Sequence, residues 1–535
     1  MTQKPHYLRR PEQESSPRAA RQSAMAVDPW LLLALLVAAA FRFESITQPL
    51  VDAFSWREAS TAMMADNFQT RSWNVFFPEV SWTGPGPSYQ GREFQITSYI
   101  AAVLYQVFGW HDWFGRAISA CFGLITTACL YAIALRCWGV WEARGSALMM
   151  AILPGATFID RSFLPDPSML ALVTSGALLF IVFLDRGRMA WLILSGAVVT
   201  LGVLAKVAGI AVAVPLLYAL VEQMRARTAV ASRLFALVAG VGLLCGLAVA
   251  TYYAWALHLA RSYPPYHMAG SGYAWTDGLP SFLRNGFYLP DLRELVDAWY
   301  LTWPLLLLSL IGLLLRPPAR DDRGKAPLGW FFHAWLLGGT VLFLVAAREI
   351  VNNPWNLHIL SVPIAAFAGR GLVVAAGLGG SGASAGSIVR AGGICLFLVL
   401  VCALPSRLYL SKAYAQTGYE LGTELASLSA PGDLVIAVSS TVGDPIAVYY
   451  SRRRGWVFPP GGGDTDWSRL RDDSEAISLL EELRAEGAAW LGIAKNARDS
   501  EGRRFLEHHK GLLTHLDQSA EIAAETDSYV IYRLR

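Results

Sequence analysis

Residues 51–68, VDAFSWREASTAMMADNF, follow directly on the first apolar run of the chain and place an aspartate, a tryptophan, an arginine and a glutamate within seven positions. A carboxylate at Asp52 would lie at the depth of lipid headgroups. There it acts as a general base if an attacking hydroxyl comes within hydrogen-bond reach. The plainer reading is a loop acid paired with Arg57. Ser55 and Glu58 have the Ser-x-x-Glu spacing of a capping box, which predicts a helix from Trp56. Trp56, Ala59, Met63, Met64 and Phe68 then share one face, with Arg57, Glu58, Thr61 and Asp66 turned away. Such a helix lies flat in the membrane interface and fixes where Asp52 points.

Cations recur on the same side of the chain. Arg42, Arg116, Arg161, Lys206 and Arg348 sit at the ends of apolar runs, and Arg57, Arg71 and Arg92 join them. Any one of them is explained by snorkelling to the headgroups. As a group on separate helices they can converge on one anion, and guanidinium forks suit phosphate oxygens. Glu93 precedes a second amphipathic helix, Asp160, Arg161 and Asp166 fall in FIDRSFLPDPSML, and Trp355 and His358 are expected at the surface. The resulting site has Asp52 as the catalytic base, with Trp56, Arg57, Glu93, Arg116, Arg161, Asp166, Lys206 and His358 binding substrate. No HExxH or P-loop pattern is present. No metal ligands or cofactor are assigned, and a divalent cation stays open.

The elements that carry these residues are membrane spans. Of the 535 residues 54% are hydrophobic and 16% charged, well below the roughly 25% charged of soluble domains. Eleven runs are candidate spans, several of them shorter than the roughly 20 residues that a bilayer takes: 29–43, 113–136, 145–160, 167–184, 189–204, 207–222, 234–257, 298–315, 328–346, 357–377 and 388–406. Lys206 interrupts the 34-residue stretch 189–222 and divides it into two of them. With eleven spans the basic tail and the Arg/Lys loops at 136–144, 185–188, 223–233, 316–327 and 379–389 all fall on one side, which the positive-inside rule makes cytoplasmic. The reading is a disordered cytoplasmic tail 1–28, a multi-pass plasma-membrane body 29–406 with a catalytic outer loop 44–112, a further outer segment 257–297, and an extracytoplasmic α/β domain 407–535. In that domain GDLVIAVSS, AAWLGIAKN and YVIYRLR read as strands and SEAISLLEELRAEG as a helix. Six cysteines without a CxxC read as buried small hydrophobes.

These stretches together resemble the GT-C fold glycosyltransferases, of the protein O-mannosyltransferase and aminoarabinose transferase kind. The similarity rests on Asp52, Ser55, Trp56 and Arg57 with Thr61-Ala62 and Asn67-Phe68, on EFQITSYIAAVLYQVFG with Gly115-Arg116, on DRSFLPDPSML, on LAKVAGI around Lys206, and on PIAVYYSRRRGW. The resemblance implies transfer of a sugar from a polyprenyl-phosphate donor to a cell-envelope acceptor (lipid, glycan or protein) on the outer membrane face. It makes Asp52 the family's loop acid. A nucleotide-sugar donor does not fit an outer site, and nothing points to nucleic acid. Two rivals remain: a lipid or glycan transporter or flippase, which would need polar groups near the midplane and usually repeat symmetry, and a non-catalytic assembly protein.

Overall fold

The computed structural model describes residues 28–266, 283–295, 300–317, 326–378, 384–410, 412–439, 441, 443–460, 472–495 and 501–534. The basic tail, Arg320, Arg323 and Lys325, and much of segment 257–297 lie outside them.

Every apolar run contains a helix. Among the described residues, seven helices are long and apolar enough to cross a membrane: Trp113–Cys137, Asp166–Arg186, Val207–Ala226, Thr228–Ser262, Phe331–Arg348, Pro354–Ala376 and Ala385–Leu408. Pro29–Phe43, Ile96–Phe108, Met189–Ala205 and Trp303–Leu314 are shorter apolar helices. Leu243, Leu244 and Leu247 of the helix Ala231–Ser262 point outward and are 63–75% exposed. A surface of that kind is at rest only against lipid.

Two breaks matter for the site. The chain leaves the helix at Lys206, whose backbone is extended (φ −162°, ψ 130°), and resumes as the 3₁₀ turn Val207–Val212. That matches the division made at this lysine from the sequence. The run 145–160 was expected as one span and is instead two helices, Val140–Ile152 and Pro154–Asp160. Pro154 supplies no N–H and pushes Leu153 into extended geometry, so it ends one helix and opens the next. The cysteines were expected to be buried. All six are free, and only Cys137 and Cys402 are fully buried.

Beyond the helix Ala385–Leu410 the chain forms a five-stranded sheet: β1 Leu434–Val438, β2 Arg454–Val457, β3 Ala488–Ala494, β4 Ala520–Glu525 and β5 Tyr529–Leu534. The order is β2-β1-β3-β5-β4, with β1 parallel to β2 and β3, and β5 antiparallel to β3 and β4. The three strands read from the sequence are β1, β3 and β5, and the expected helix is Asp473–Ala485.

One face of this sheet packs its own helices, through Leu480, Leu483, Phe505, Leu512 and Leu516. The other face shares a single hydrophobic core with the loop near residue 50. Leu50, Val51, Met63, Met64 and Phe68 lie in it with Leu421, Val435, Ile446, Tyr449, Trp490 and Ile531. The loop also extends the sheet. Gly84 N–H donates to Gly455 C=O (2.7 Å), Gly455 N–H to Ser81 C=O (3.0 Å) and Val457 N–H to Trp82 C=O (3.2 Å). Residues 81–84 thereby pair the outer edge of β2, which covers an edge that would otherwise be free to pair elsewhere.

Gly84 has φ +110°, and a Cβ there would sit 2.8 Å from the Trp456 indole nitrogen. Both facts demand glycine. Gly84→Ala is expected to cost about 1–3 kcal/mol, the range for a non-glycine residue forced into such a backbone region. Thermal unfolding in detergent checks this, and an unchanged midpoint would show that the edge pairing is dispensable.

Candidate active site

The helix after Asp52 is not the one the sequence pattern implied. It runs Ser55–Thr70 with Phe54 as N-cap and no side-chain cap bond. The capping box is absent because Glu58 turns inward, to the helix Trp113–Cys137. Nor is the helix amphipathic. Glu58 and Thr61, expected on an outward face, are as buried as Ala59 and Met64. Trp56 is instead exposed at 36%. The helix is therefore wedged between the spans and the sheet rather than laid on a lipid surface.

Asp52, 1% exposed, sits in a group of two carboxyls and two guanidiniums. Arg116 Nη2 donates to Asp52 Oδ2 (2.7 Å) and Glu58 Oε2 (2.8 Å), and Arg116 Nε donates to Glu58 Oε1 (3.0 Å). Arg116 Nη1 donates to the Gln48 carbonyl (2.6 Å). Glu58 Oε1 also accepts Phe163 N–H at 2.7 Å. Arg161 lies 3.6 Å from Asp52 and donates to the Ser45 carbonyl at 2.9 Å. Its Nε and Nη1 are buried without a hydrogen-bond partner. Charges in so dry a place persist only when matched.

The two carboxyls are pushed apart in acidity. Burial raises Asp52, but the positive charges of Arg116 and Arg161 and the Phe54 N–H outweigh it, and its carboxyl is held below the usual range. Burial also raises Glu58. Arg116 opposes this, the negative charge of Asp52 adds to it, and the result stands above the usual range. Asp52 is thus the carboxylate that stays ionised through neutral pH, and Glu58 is the one that holds a proton longer.

Four other expected residues form two pairs beside this group. Arg57 donates to Glu93 Oε1 at 2.6 Å, and Arg92 Nε to Glu93 Oε2 at 3.2 Å. Lys206 Nζ donates to Asp166 Oδ1 at 2.7 Å, while Asp166 Oδ2 is buried without a partner. Trp355 connects the parts: Phe54 meets its ring edge-on at 5.2 Å, and Lys206 Nζ lies 6.0 Å from its centre. An apolar cavity of about 770 Å³ opens alongside. It is lined by Phe94, Leu204, Leu244, Ala248 and Trp255 among others, so it begins one residue from Glu93 and two from Lys206.

His358, expected at the surface, is fully buried. Its Nε2 meets Asp160 Oδ1 at 2.9 Å and its Nδ1 meets Ser361 Oγ at 3.2 Å, so both ring nitrogens are taken. Asp160 in turn accepts from Arg42 Nε (2.9 Å) and Nη2 (2.7 Å). Gly123 makes room, since a Cβ there would be 2.6 Å from Asp160 Oδ2. Arg42 and Arg116 were expected to face a ligand, and both are instead enclosed by protein acceptors. The residues to which the sequence reading gave no place in the site are Glu58, read as a cap, and Asp160. A lone sequence signals neither pairing, because the partners come from distant helices.

Arg116 is the cation on which two buried carboxyls depend. Arg116→Ala is expected to cost about 3–5 kcal/mol, as for other buried pairs broken on one side. Glu58→Gln resembles the protonated form that burial favours and should cost less. Melting temperatures in detergent test the order. A stable Arg116→Ala protein that had lost only phosphate binding would overturn it.

A segment of the chain, residues 95–255, matches the family model for dolichyl-phosphate-mannose-protein mannosyltransferase. No curated protein sequence matches the chain. Solved structures resemble it over most of its length. ArnT from Cupriavidus metallidurans bound to undecaprenyl phosphate is 14% identical with a TM-score of 0.56, covering 95% of this chain and 98% of that one. The oligosaccharyltransferase AglB from Archaeoglobus fulgidus, in complex with an inhibitory peptide and a dolichol-phosphate, is 13% identical with a TM-score of 0.53, over 95% and 74%. The arabinofuranosyltransferase AftD from Mycobacteria is 14% identical with a TM-score of 0.50, over 95% and 42%. With its apolar helices, its small sheet and the buried site between them, the chain is a membrane protein of the GT-C glycosyltransferase fold.

Proposed function

We propose that the chain is a glycosyltransferase that moves a sugar from a polyprenyl-phosphate donor to a cell-envelope acceptor on the outer face of the plasma membrane, with Asp52 as the general base. The observation that carries this is the buried Asp52 beside Arg161, whose Nη1 lies 3.6 Å from that carboxylate and whose Nε, without a hydrogen-bond partner, suits an anion's oxygen. The solved ArnT and AglB structures hold undecaprenyl phosphate and dolichol-phosphate. A lipid of that kind suits the apolar cavity by Phe94 and Leu204, with its phosphate toward Lys206, Arg57 and Arg161.

In the reaction the acceptor hydroxyl attacks the anomeric carbon. The new C–O bond forms as the bond to the phosphate oxygen breaks, the acceptor proton passes to Asp52, and the electron pair leaves on the lipid phosphate. A glycosyl phosphate already has a good leaving group, so the protein's main electrostatic task is to stabilise the phosphate charge. Preorganised cations in a water-poor site do this well. Arg57 and Lys206 keep some access, with side chains 17% and 8% exposed. They reach the phosphate if its oxygens take the place of Glu93 and Asp166 as acceptors.

Asp52→Asn is expected to leave donor binding near normal and to cut turnover about 100-fold or more, the usual range for a general base. Transfer of labelled sugar from polyprenyl phosphate in nanodiscs, with binding measured separately, decides it. Full turnover by the variant would move the base to Glu93 or Asp166. A transporter would move lipid across the bilayer and form no glycosylated product.

The same reading makes the loop 44–112 and the region 407–535 extracytoplasmic and the N-terminus cytoplasmic. In intact cells, single cysteines at Ser72 and Asp527 of an otherwise cysteine-free protein should react with an impermeant maleimide, and one at Arg227 should not. Protection at both outer positions would overturn the orientation.

A further inference from the structure

Two residues before Asp52, the backbone is gripped by a side chain 400 positions away. Leu50 N–H donates to the Tyr450 hydroxyl at 2.7 Å. That hydroxyl donates in turn to Asp112 Oδ2 at 2.8 Å. Asp112 immediately precedes the helix Trp113–Cys137, which presents Arg116 one turn further on. One hydroxyl therefore joins the strand of loop that carries Asp52 to the head of the helix that carries its guanidinium partner. A second contact comes from the same region: Ala415 N–H donates to the Val51 carbonyl at 3.0 Å. The phenol ring is itself fixed, edge-on to Tyr419 at 4.7 Å and to Tyr449 at 4.9 Å. It stands on the helix Ile446–Ser451 and is 7% exposed. Just beyond it, Arg452 pairs with Asp66 of the helix Ser55–Thr70 at 3.0 Å and lies 4.3 Å from the centre of the Trp110 ring. Apart from the two ring contacts, these partners all lie in the segment 44–112.

We propose that Tyr450 is a positioning residue for the transfer reaction, its hydroxyl setting the place of Asp52 relative to Arg116 from the sheet-bearing part of the chain. Geometry is the reason that this would register in rate. A base misplaced by a fraction of an ångström loses proton-transfer efficiency while the phosphate contacts of the donor are untouched. Leu50 and Val51 have no other tether on the side of the sheet among the hydrogen bonds of the described residues. Losing the hydroxyl leaves the Leu50 N–H and the Asp112 carboxyl without their shared partner, while the ring keeps its packing.

The inference rests on the glycosyl-transfer reading for its kinetic part only. Amide exchange, followed by mass spectrometry on the intact protein in nanodiscs, tests the clamp without any substrate. Tyr450→Phe should raise exchange in the peptide containing Leu50 by about tenfold, the worth of one buried hydrogen bond. In the transfer assay the same variant should lose about tenfold in kcat with donor KM changed by less than about twofold. Asp112→Ala should reproduce the loss and Asp112→Asn, which keeps an acceptor oxygen, should largely restore it. Those two variants leave the tyrosine in place should Tyr450→Phe not fold. Unchanged exchange in Tyr450→Phe and Asp112→Ala overturns the clamp. Faster exchange with unchanged kcat, or with a matching rise in donor KM, overturns the positioning role. Wild-type protein that transfers no sugar overturns the glycosyltransferase reading, and the exchange result still judges the clamp.

Discussion

Two guanidiniums and two carboxyls buried together govern how this molecule is put together. A charge removed from water costs several kcal/mol, and the cost is recovered only if opposite charges and hydrogen-bond partners are held in place. Arg116 meets Asp52 and Glu58 on one side and the Gln48 carbonyl on the other. Arg161 comes up from the turn after Pro154–Asp160. The loop cannot leave the spans without exposing or unpairing one of these groups. The helix Ser55–Thr70 is held inward for that reason, and its apolar side chains then pack between the helices Ile96–Phe108 and Trp113–Cys137 and the sheet.

A parallel group lies deeper. Arg42, Asp160, His358, Ser361 and Tyr300 form a closed chain of contacts, with the Tyr300 hydroxyl 2.7 Å from Ser361 Oγ and donating to the Leu357 carbonyl at 2.9 Å. It joins the first apolar helix to the turn carrying Arg161 and to the 3₁₀ segment Pro354–Leu360. The turn that presents Arg161 to Asp52 is thus held by a network that has its own partners.

Much of this was legible in the sequence, and the rest was not for definite reasons. Hydropathy located the helices, and a lone lysine in an apolar run located the break at 206, because a charge at mid-span is costly enough to end a helix. Alternating apolar segments gave β1, β3 and β5. The neighbourhood of Asp52 was readable as chemistry because an acid and several cations sat together at a membrane edge. What failed was the inference from a local pattern to a local partner. Ser55 and Glu58 had capping-box spacing, yet Glu58 is claimed by Arg116, 58 residues on. His358 is expected at the surface because it lies just after an apolar run, and it is instead buried against Asp160 from a distant helix. Periodicity reports which face of a helix is apolar. It carries no information on which distant charge will be opposite.

The core shared by the loop and the sheet has a consequence for biosynthesis. The groups that complete the surroundings of Leu50 are translated some 400 residues after it. A nascent chain that has inserted its early helices therefore carries an unfinished loop, with Met63, Met64 and Phe68 lacking their cover and residues 81–84 lacking the strand they pair with. Contacts so far apart in sequence form late and leave apolar surface open in the interval. The site assembles only once the sheet has been made and docked, so a protein truncated before β1 carries Asp52 and its cations without the frame that aligns them.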